Sequence, residues 1–441
     1  MRRSAADLEP FRVPAYRRYL LAGTLTSVSL WTFTTSLNWT VLGDTGSAAI
    51  VGLISTLMTL PLPFAAVPGG MLTDRLGPRD LMALALLVEA VCVASTGVLA
   101  AAGLLAVPFV LFMSLVFGAA DGLQAIPGQV LVGRIVPPRA MASAIGLSML
   151  TIGMGRILGG TLGGALVANL GPQGAMVPAA AGVLLSALTI RSLPRVEGSG
   201  GGARLRRDEL AEGLRWFRGT GGMRALMLLG LVSALFMWPY LGLLAVVVRD
   251  LLQGTPQDLG LLTASGGVGA ILAAVTMGPL GRRIGRGRQL VLVMLIAGGV
   301  EVCLGVSHLL VPTLLAGTLM AMMTVTHTAT ANLIIQSVAP VRMRGRALAI
   351  YNFVFFGGLP IGYLVSGILA DRIGIGPLLI ALGILTTSCT ALVTLADRRL
   401  WRLDVSREPG TDAAQEAGAP DAAPLLEPVP AASVAAPVDP T

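Results

Sequence analysis

Gly70-Met71-Leu72-Thr73-Asp74-Arg75-Leu76-Gly77-Pro78-Arg79 lies between two long apolar stretches, at about residues 48–73 and 80–102. The flanks are too apolar for a soluble helix pair, while the middle is charged and glycine-rich. The segment therefore reads as a tight turn between two helices that cross a membrane. The same layout returns 208 residues later as Gly278-Pro279-Leu280-Gly281-Arg282-Arg283-Ile284-Gly285, with Arg282 where the first copy has Asp74. A turn that recurs at such a spacing implies that the apolar stretches around it recur as well.

Composition supports a membrane. Of 441 residues, 54% are apolar and only 12% charged, against roughly 45–50% and about 25% in soluble domains. Mean hydropathy is +0.79. Apolar runs separated by Gly, Pro or Arg clusters fall at about 18–41, 48–73, 80–102, 107–133, 141–169 and 173–193, and again at about 223–248, 257–281, 288–308, 311–337, 345–371 and 376–396. At about 20 residues per crossing, the length accommodates twelve. The expected fold class is an all-α membrane protein of twelve transmembrane helices in two pseudo-symmetric six-helix bundles.

The net charge of +8 comes from arginine alone, since the chain has no lysine. Those arginines sit in short blocks between apolar runs, which excludes a nucleic-acid face and sets orientation instead. With the amino terminus in the cytoplasm, 28 of 31 arginines fall on the cytoplasmic side, leaving Arg249 and Arg372 outside and Arg156 inside a span. Both termini are expected in the cytoplasm of a multi-pass inner-membrane protein. The basic start Met1-Arg2-Arg3 precedes a polar stretch, so the first span, not a cleavable leader, is expected to serve as insertion signal. Cys92, Cys303 and Cys389 lie far apart in apolar runs and read as packed thiols without metal-ligand spacing.

Two sets of offsets define the repeat. At 203, Pro137, Arg139, Gly155, Gly159, Gly164 and Gly171 fall on Pro340, Arg342, Gly358, Gly362, Gly367 and Gly374. At 207 to 208, Gly23, Trp31, Gly52, Gly70 and Gly77 fall on Gly230, Trp238, Gly260, Gly278 and Gly285. Two parallel halves of this kind place a substrate site at the midplane between them. The expected organisation is an amino-terminal segment 1–17, a first bundle 18–193, a cytoplasmic linker 194–222, a second bundle 223–396 and a disordered tail 397–441. Within the linker, Gly198–Gly202 reads as a tether. Arg204–Phe217 reads as an amphipathic helix on the membrane surface, with Leu205, Leu210, Leu214 and Phe217 on one face.

The first turn, through Gly70, Asp74, Arg75, Gly77 and Arg79, resembles the signature loop of the major facilitator superfamily, Gly-x-Leu-x-Asp-Arg-x-Gly-x-Arg. The resemblance implies a cytoplasmic gate, with Asp74 at a helix end pairing an arginine of a neighbouring helix; Arg282 in the second copy marks either an asymmetric gate or simply the preference for arginine on the cytoplasmic side. Gly155-Arg156-Ile157-Leu158-Gly159-Gly160-Thr161-Leu162-Gly163-Gly164 is similar to the exporter motif of the fifth span, with Gly160 in place of its proline. Helix packing by small residues is a sufficient reason for Gly155, Gly159, Gly160, Gly163 and Gly164. Pro14-Ala15-Tyr16-Arg17-Arg18-Tyr19, Glu212–Phe217, Arg344-Gly345-Arg346, Pro360-x-Gly362 and Ala370-Asp371-Arg372-x-Gly374 resemble the branch of siderophore and multidrug exporters called transmembrane secretion effectors. This likeness covers about residues 14–400. It departs in the first span, where Trp31-Thr32 stands near a Gly-Asp pair carried by many members.

An ionisable side chain in mid-membrane costs at least about 2.5–3.5 kcal/mol, so each is a functional candidate. Asp121, Arg156, Glu89 and Glu301 are candidates for proton coupling, with Asp121 the expected counter-ion of Arg156. Structural pairing remains an alternative for each. The resemblance implies that spans 1, 4, 7 and 10 line a central cavity, which makes Trp31, Asn38, Gln124, Trp238, Tyr240 and His327 the candidate cavity residues. Aromatic walls with few polar groups suit an amphiphilic organic substrate. The expected activity is proton-coupled efflux of a drug, antibiotic or siderophore by alternating access. A nutrient symporter and a non-transporting receptor or scaffold are the alternatives. No nucleophile and base set, metal cluster or phosphate loop is visible, so neither an enzyme nor a bound cofactor or metal is expected. The expected partners are the substrate, protons and the bilayer, with the chain a monomer.

Overall fold

In hydrocarbon every backbone amide must be satisfied within its own segment, so a chain built of apolar runs has helix as its open solution. The computed structural model describes residues 9–195 and 207–402, and the elements among them are all helical. The tether at 198–202, Leu205 and the tail beyond 402 lie outside the described residues.

The chain begins with α1 (Pro14–Thr45), α2 (Ala48–Thr59) and α3 (Leu62–Leu76), the last two forming one rod interrupted near Pro61. It continues with α4 (Pro78–Ala101), α5 (Val107–Ile135) and α6 (Met141–Arg191). After α7 (Arg207–Gly219) and α8 (Met223–Val232), residues 233–251 run on as π and 3-10 turns with a short α-helical stretch at Leu244–Val246. Then come α9 (Pro256–Ile284), α10 (Arg286–Val306), α11 (Leu310–Val338), α12 (Arg344–Ile373) and α13 (Ile375–Ala396).

Ten helices among the described residues are long and apolar enough to cross a membrane. The serine- and threonine-rich α1 is not one of them, and α6 is counted once although Gly171 breaks it with φ +76°. Gly155 and Gly182 both contact α1, at Ser27 and Ser29. Two points 27 residues apart on α6 therefore return to one level, and the chain reverses at Gly171.

Single-glycine turns recur in register. Gly77 (φ +82°) joins α3 to α4 and Gly285 (φ +86°) joins α9 to α10, while Gly171 is matched by Gly374 (φ +82°) between α12 and α13. A left-handed backbone favours glycine, so the repeat seen in sequence is a repeat of turns. Many hydroxyls inside the helices donate back one turn, as Ser36 does to Thr32 O (2.7 Å) and Thr390 to Thr386 O (2.6 Å). This keeps them satisfied without water.

The halves touch at two crossings that are repeat mates. Gly52 of α2 lies on Gly367 of α12, and Gly164 of α6 lies on Gly260 of α9; a Cβ on Gly52 or Gly164 would stand 2.9 or 2.8 Å from the facing Cα. The linker helix, expected on the membrane surface, also makes contacts with the second half. α7 docks on α12: Glu212 pairs with Arg346 (3.0 Å) and Arg342 (3.4 Å), Gly213 meets Ile350, and Phe217 is buried with Met223, Leu226 and Leu400. Phe217 thus buries against protein, while Leu214 on the same face stays exposed.

Candidate functional site

A cavity of about 190 Å³ lies between α1, α2, residues 241–245, α9 and α12. Trp31, Met58, Leu241, Leu244 and Tyr363 wall it, and Thr34, Asn38, Ser55 and Thr59 give it polar points. Thr34, Ser55 and Thr59 already donate to Leu30 O, Val51 O and Ser55 O, so they offer the cavity lone pairs. Sites for drug-sized ligands span about 300–1,000 Å³, so in this conformation the cavity is contracted.

Arg156 sits behind that wall, buried at the seam of the two halves. Its guanidinium lies over the Trp31 ring at 4.6 Å and its Nε donates to Thr263 O at 3.1 Å. Tyr240 is within hydrogen-bonding reach of both the guanidinium and Thr324, and Tyr363 stands close by. Gly266 of α9 makes the space: a Cβ there would run into the guanidinium carbon and Nη2. A cation that cannot shed its proton is thus held by a carbonyl, a phenol and an aromatic face. The expected Asp121 partner is not among them, and no ion pair joins the two.

Asp121 instead belongs with Glu89 and Gln124 in the first half. Gln124 Nε2 donates to Glu89 Oε1, and Asp121 is the neighbouring carboxylate. Glu89 is fully buried, whereas Asp121 is exposed on α5. Glu301 of α10 is fully buried in the second half, near Tyr240, and neither its carboxyl oxygens nor the adjacent Thr386 hydroxyl has a well-formed hydrogen bond.

Of the expected cavity residues, Trp31 and Asn38 line the cavity and Tyr240 backs it. His327 and Trp238 pack around Phe355, with ring centroids at 6.4 and 5.6 Å. His327 Nδ1 meets Ser233 Oγ at 3.3 Å, while His327 Nε2, Trp238 Nε1, Thr330 Oγ1 and Tyr351 Oη have no hydrogen-bond partner among the described residues. Gln124 is engaged by Glu89 and lies elsewhere. Sequence reasoning missed Thr263, Gly266 and Tyr363; the adjacent pair Gly266-Gly267 was the visible trace of a close approach.

The exporter-like glycines serve two neighbours. Gly155, Gly159 and Gly163 face α1 at Ser27, Val28 and Thr32, whereas Gly160 and Gly164 face α9 at Thr263 and Gly260. The same helix that carries Arg156 is therefore pressed against both halves.

Each end of the molecule has its own ionic state. At the arginine-poor end, Asp371 of α12 accepts from Ser47 Oγ (2.6 Å), Ala48 N (2.5 Å) and Ala49 N (3.1 Å), capping α2 across the seam. Arg249 Nη1 donates to Leu42 O near the carboxyl end of α1. Charges of these signs at these helix ends are favourable. The repeat-equivalent helix α9 is capped within its own chain segment by Thr255 and Asp258. At the arginine-rich end, Asp74 has no hydrogen bond or ion pair among the described residues, while Arg79 binds Asp80 (2.6 Å) and Leu193 O (3.1 Å). The arginine-poor end is latched, and among the described residues the signature-loop aspartate is unpaired. Gly70 packs toward Ile126 of α5.

A helical membrane chain whose halves meet at paired glycines around a buried site has the fold of the major facilitator transporters. It superposes on a bacterial homologue of the human lysosomal transporter Spinster with a TM-score of 0.70 at 15% identity, over 89% of this chain and 98% of that one. The nucleoside transporter NupG gives 0.70 at 12%, over 88% and 99%. Residues 5–417 match the transmembrane secretion effector family, and the chain belongs to it. It is 27% identical over 387 residues to the multidrug efflux pump Tap of Mycolicibacterium fortuitum, covering 84% of this chain and 92% of that protein. Tap of Mycobacterium tuberculosis is 25% identical over 397 residues, covering 85% and 91%. The chain is an integral membrane transporter.

Proposed function

We propose that the transporter exports amphiphilic small molecules from the cytoplasm in exchange for protons. Two six-helix bundles, twelve crossings in all, would alternate about the glycine seam, with both termini inside. The observation that carries this reading is the cavity. Its walls are aromatic and aliphatic, its polar points are uncharged, and one fixed guanidinium backs it. Such a surface selects for apolar bulk with little demand for a particular headgroup, and Tap, the relative along most of the length, is a multidrug efflux pump. Arginine placement supports the orientation, and helix α6, reversing at Gly171, supports the even count of crossings.

For coupling, Glu301 is a fully buried carboxyl close enough to Tyr240 to act on it electrostatically, and it has no ion pair among the described residues. A buried carboxyl in that position is suited to carry a proton, passing it toward Tyr240 when the seam opens and water enters. Asp121 and Glu89 form a second carboxyl group in the first half that could serve the entry side.

Reconstitution into liposomes tests both parts. With the interior acid and ethidium outside, the protein is expected to accumulate ethidium while protons leave, and an ionophore is expected to abolish the accumulation. Glu301→Gln is expected to leave downhill ethidium movement and remove its response to pH. Accumulation that ignores the ionophore would sink the coupling, and no protein-dependent ethidium movement would sink the substrate class.

A further inference from the structure

A cleft of about 600 Å³ opens on the outside of the molecule between α10 and α13, away from the seam. Val291, Leu295, Ala391 and Leu395 form its walls. The flanking surface is apolar and faces outward: Leu292, Ile296 and Leu392 are exposed. Hydrocarbon chains are the natural neighbours of such a surface. At the arginine-rich end of the cleft, however, Arg288 and Arg398 converge from the first turn of α10 and the 3-10 turn after α13. Both are exposed and neither has a carboxylate partner among the described residues.

The carboxylate next in sequence is otherwise employed. Asp397 accepts from Gly222 N through Oδ2 and from Arg399 N through Oδ1, each at 3.1 Å. Arg286, two residues before Arg288, turns toward α9 and donates to Met277 O and Gln289. Thr394, at the same level, donates to Thr390 O and keeps lone pairs only. The position of the 3-10 turn is fixed because Leu400 is fully buried, which sets Trp401 at the rim, 42% exposed, where an indole suits the interface between headgroups and chains.

We propose that this cleft is a binding site for one anionic glycerophospholipid of the leaflet on the arginine-rich side. Its acyl chain lies between α10 and α13, and its phosphate is bridged by Arg288 and Arg398. Two guanidiniums on different helices make the headgroup a clamp: the lipid holds the end of α13 to the start of α10. Basic pockets between helices recognise headgroups in this way, and the planar guanidinium matches phosphate oxygens in pairs.

Native mass spectrometry of the full chain in mild detergent tests the site, with dioleoyl phosphatidylglycerol and dioleoyl phosphatidylcholine as probes. Phosphatidylglycerol is expected to bind at least about tenfold more tightly, each guanidinium contributing about fivefold. Arg288→Gln with Arg398→Gln is expected to weaken phosphatidylglycerol about 25-fold and phosphatidylcholine, whose choline already offsets its phosphate, by clearly less, so that the preference is lost, whereas Lys at both positions retains most of the preference. The single Gln variants, each expected at about fivefold, carry the test if the pair fails to fold. Equal binding of the two lipids, or undiminished phosphatidylglycerol binding in the Gln variants, overturns the proposal. So does a photo-crosslinking residue at position 395 that captures residues 403–441 of the chain's own tail instead of lipid.

Discussion

Asp371→Asn removes the charge from the cap that α12 places on α2 while keeping the side chain's size. The carboxylate receives one hydroxyl and two backbone N–H groups at 2.5–3.1 Å. A hydrogen bond to a charged group is worth about 1.5–3 kcal/mol when sheltered, and a charge at a helix end about 0.3–1 kcal/mol when exposed. Asp371 is exposed, so loss of its charge is expected to cost the latched state about 1.5 kcal/mol, close to a tenfold shift toward opening of the arginine-poor end. The assay is reaction of Asn38→Cys with a membrane-impermeant maleimide added from that side, in a background with Cys92, Cys303 and Cys389 replaced by Ser. Asn38 lines the cavity just below the latch. The rate is expected to rise about tenfold with Asp371→Asn and to change little with Asp258→Asn, whose cap lies within α9's own segment. A rate within twofold of the parent would refute the reading that Asp371 holds the end shut.

Arg156→Lys keeps the charge but loses the planar contact with Trp31 and the fixed donor to Thr263; substrate accumulation is expected to move at least tenfold toward that of cells lacking the protein. Gly266→Ala is expected to do the same without removing a polar group, since its Cβ displaces the guanidinium, and a melting temperature within a few degrees of the parent would distinguish displacement from unfolding. Glu301→Leu removes a buried carboxyl without a hydrogen-bond partner, so unfolding is expected to become harder by about 1–3 kcal/mol, read as a higher melting temperature, while pH-driven transport is lost. Gly164→Ala pushes α6 from α9 at the Gly260 crossing and is expected to cost about 1–3 kcal/mol in the latched state, seen as faster labelling at position 38.

The helices were legible because a bilayer imposes a local rule. The run at 311–337 became Leu310–Val338, and that at 257–281 became Pro256–Ile284. The turn glycines were legible for the same reason, each marking a left-handed residue where one half repeats the other. The surroundings of Arg156 were not legible. Asp121 looked like its partner because both are ionisable and lie on successive spans. Apart from the Trp31 ring, the groups that hold the guanidinium come from Tyr240 and Thr263 of the other half, with Gly266 leaving the space, and they are brought near only when the halves close on each other. The linker helix was read correctly as amphipathic from Leu214 and Phe217, but a periodic face does not say whether lipid or protein covers it. The pairs of Glu212 with Arg342 and Arg346 come from residues 130 or more positions away, and Leu214 stays exposed. Asp371 was quoted as part of a likeness, yet its task depends on where α2 begins on the far side of the seam.

The turns through Gly77, Gly171, Gly285 and Gly374 leave a single residue between successive helical stretches. A connection that short lets neither helix settle without the other, so the chain is constrained to enter the bilayer as helical hairpins. Those four junctions have no slack to absorb an added segment. Epitope tags, reporter domains and protease sites belong elsewhere, in stretches such as 102–106 or 307–309, where the helices are separated by several residues of turn.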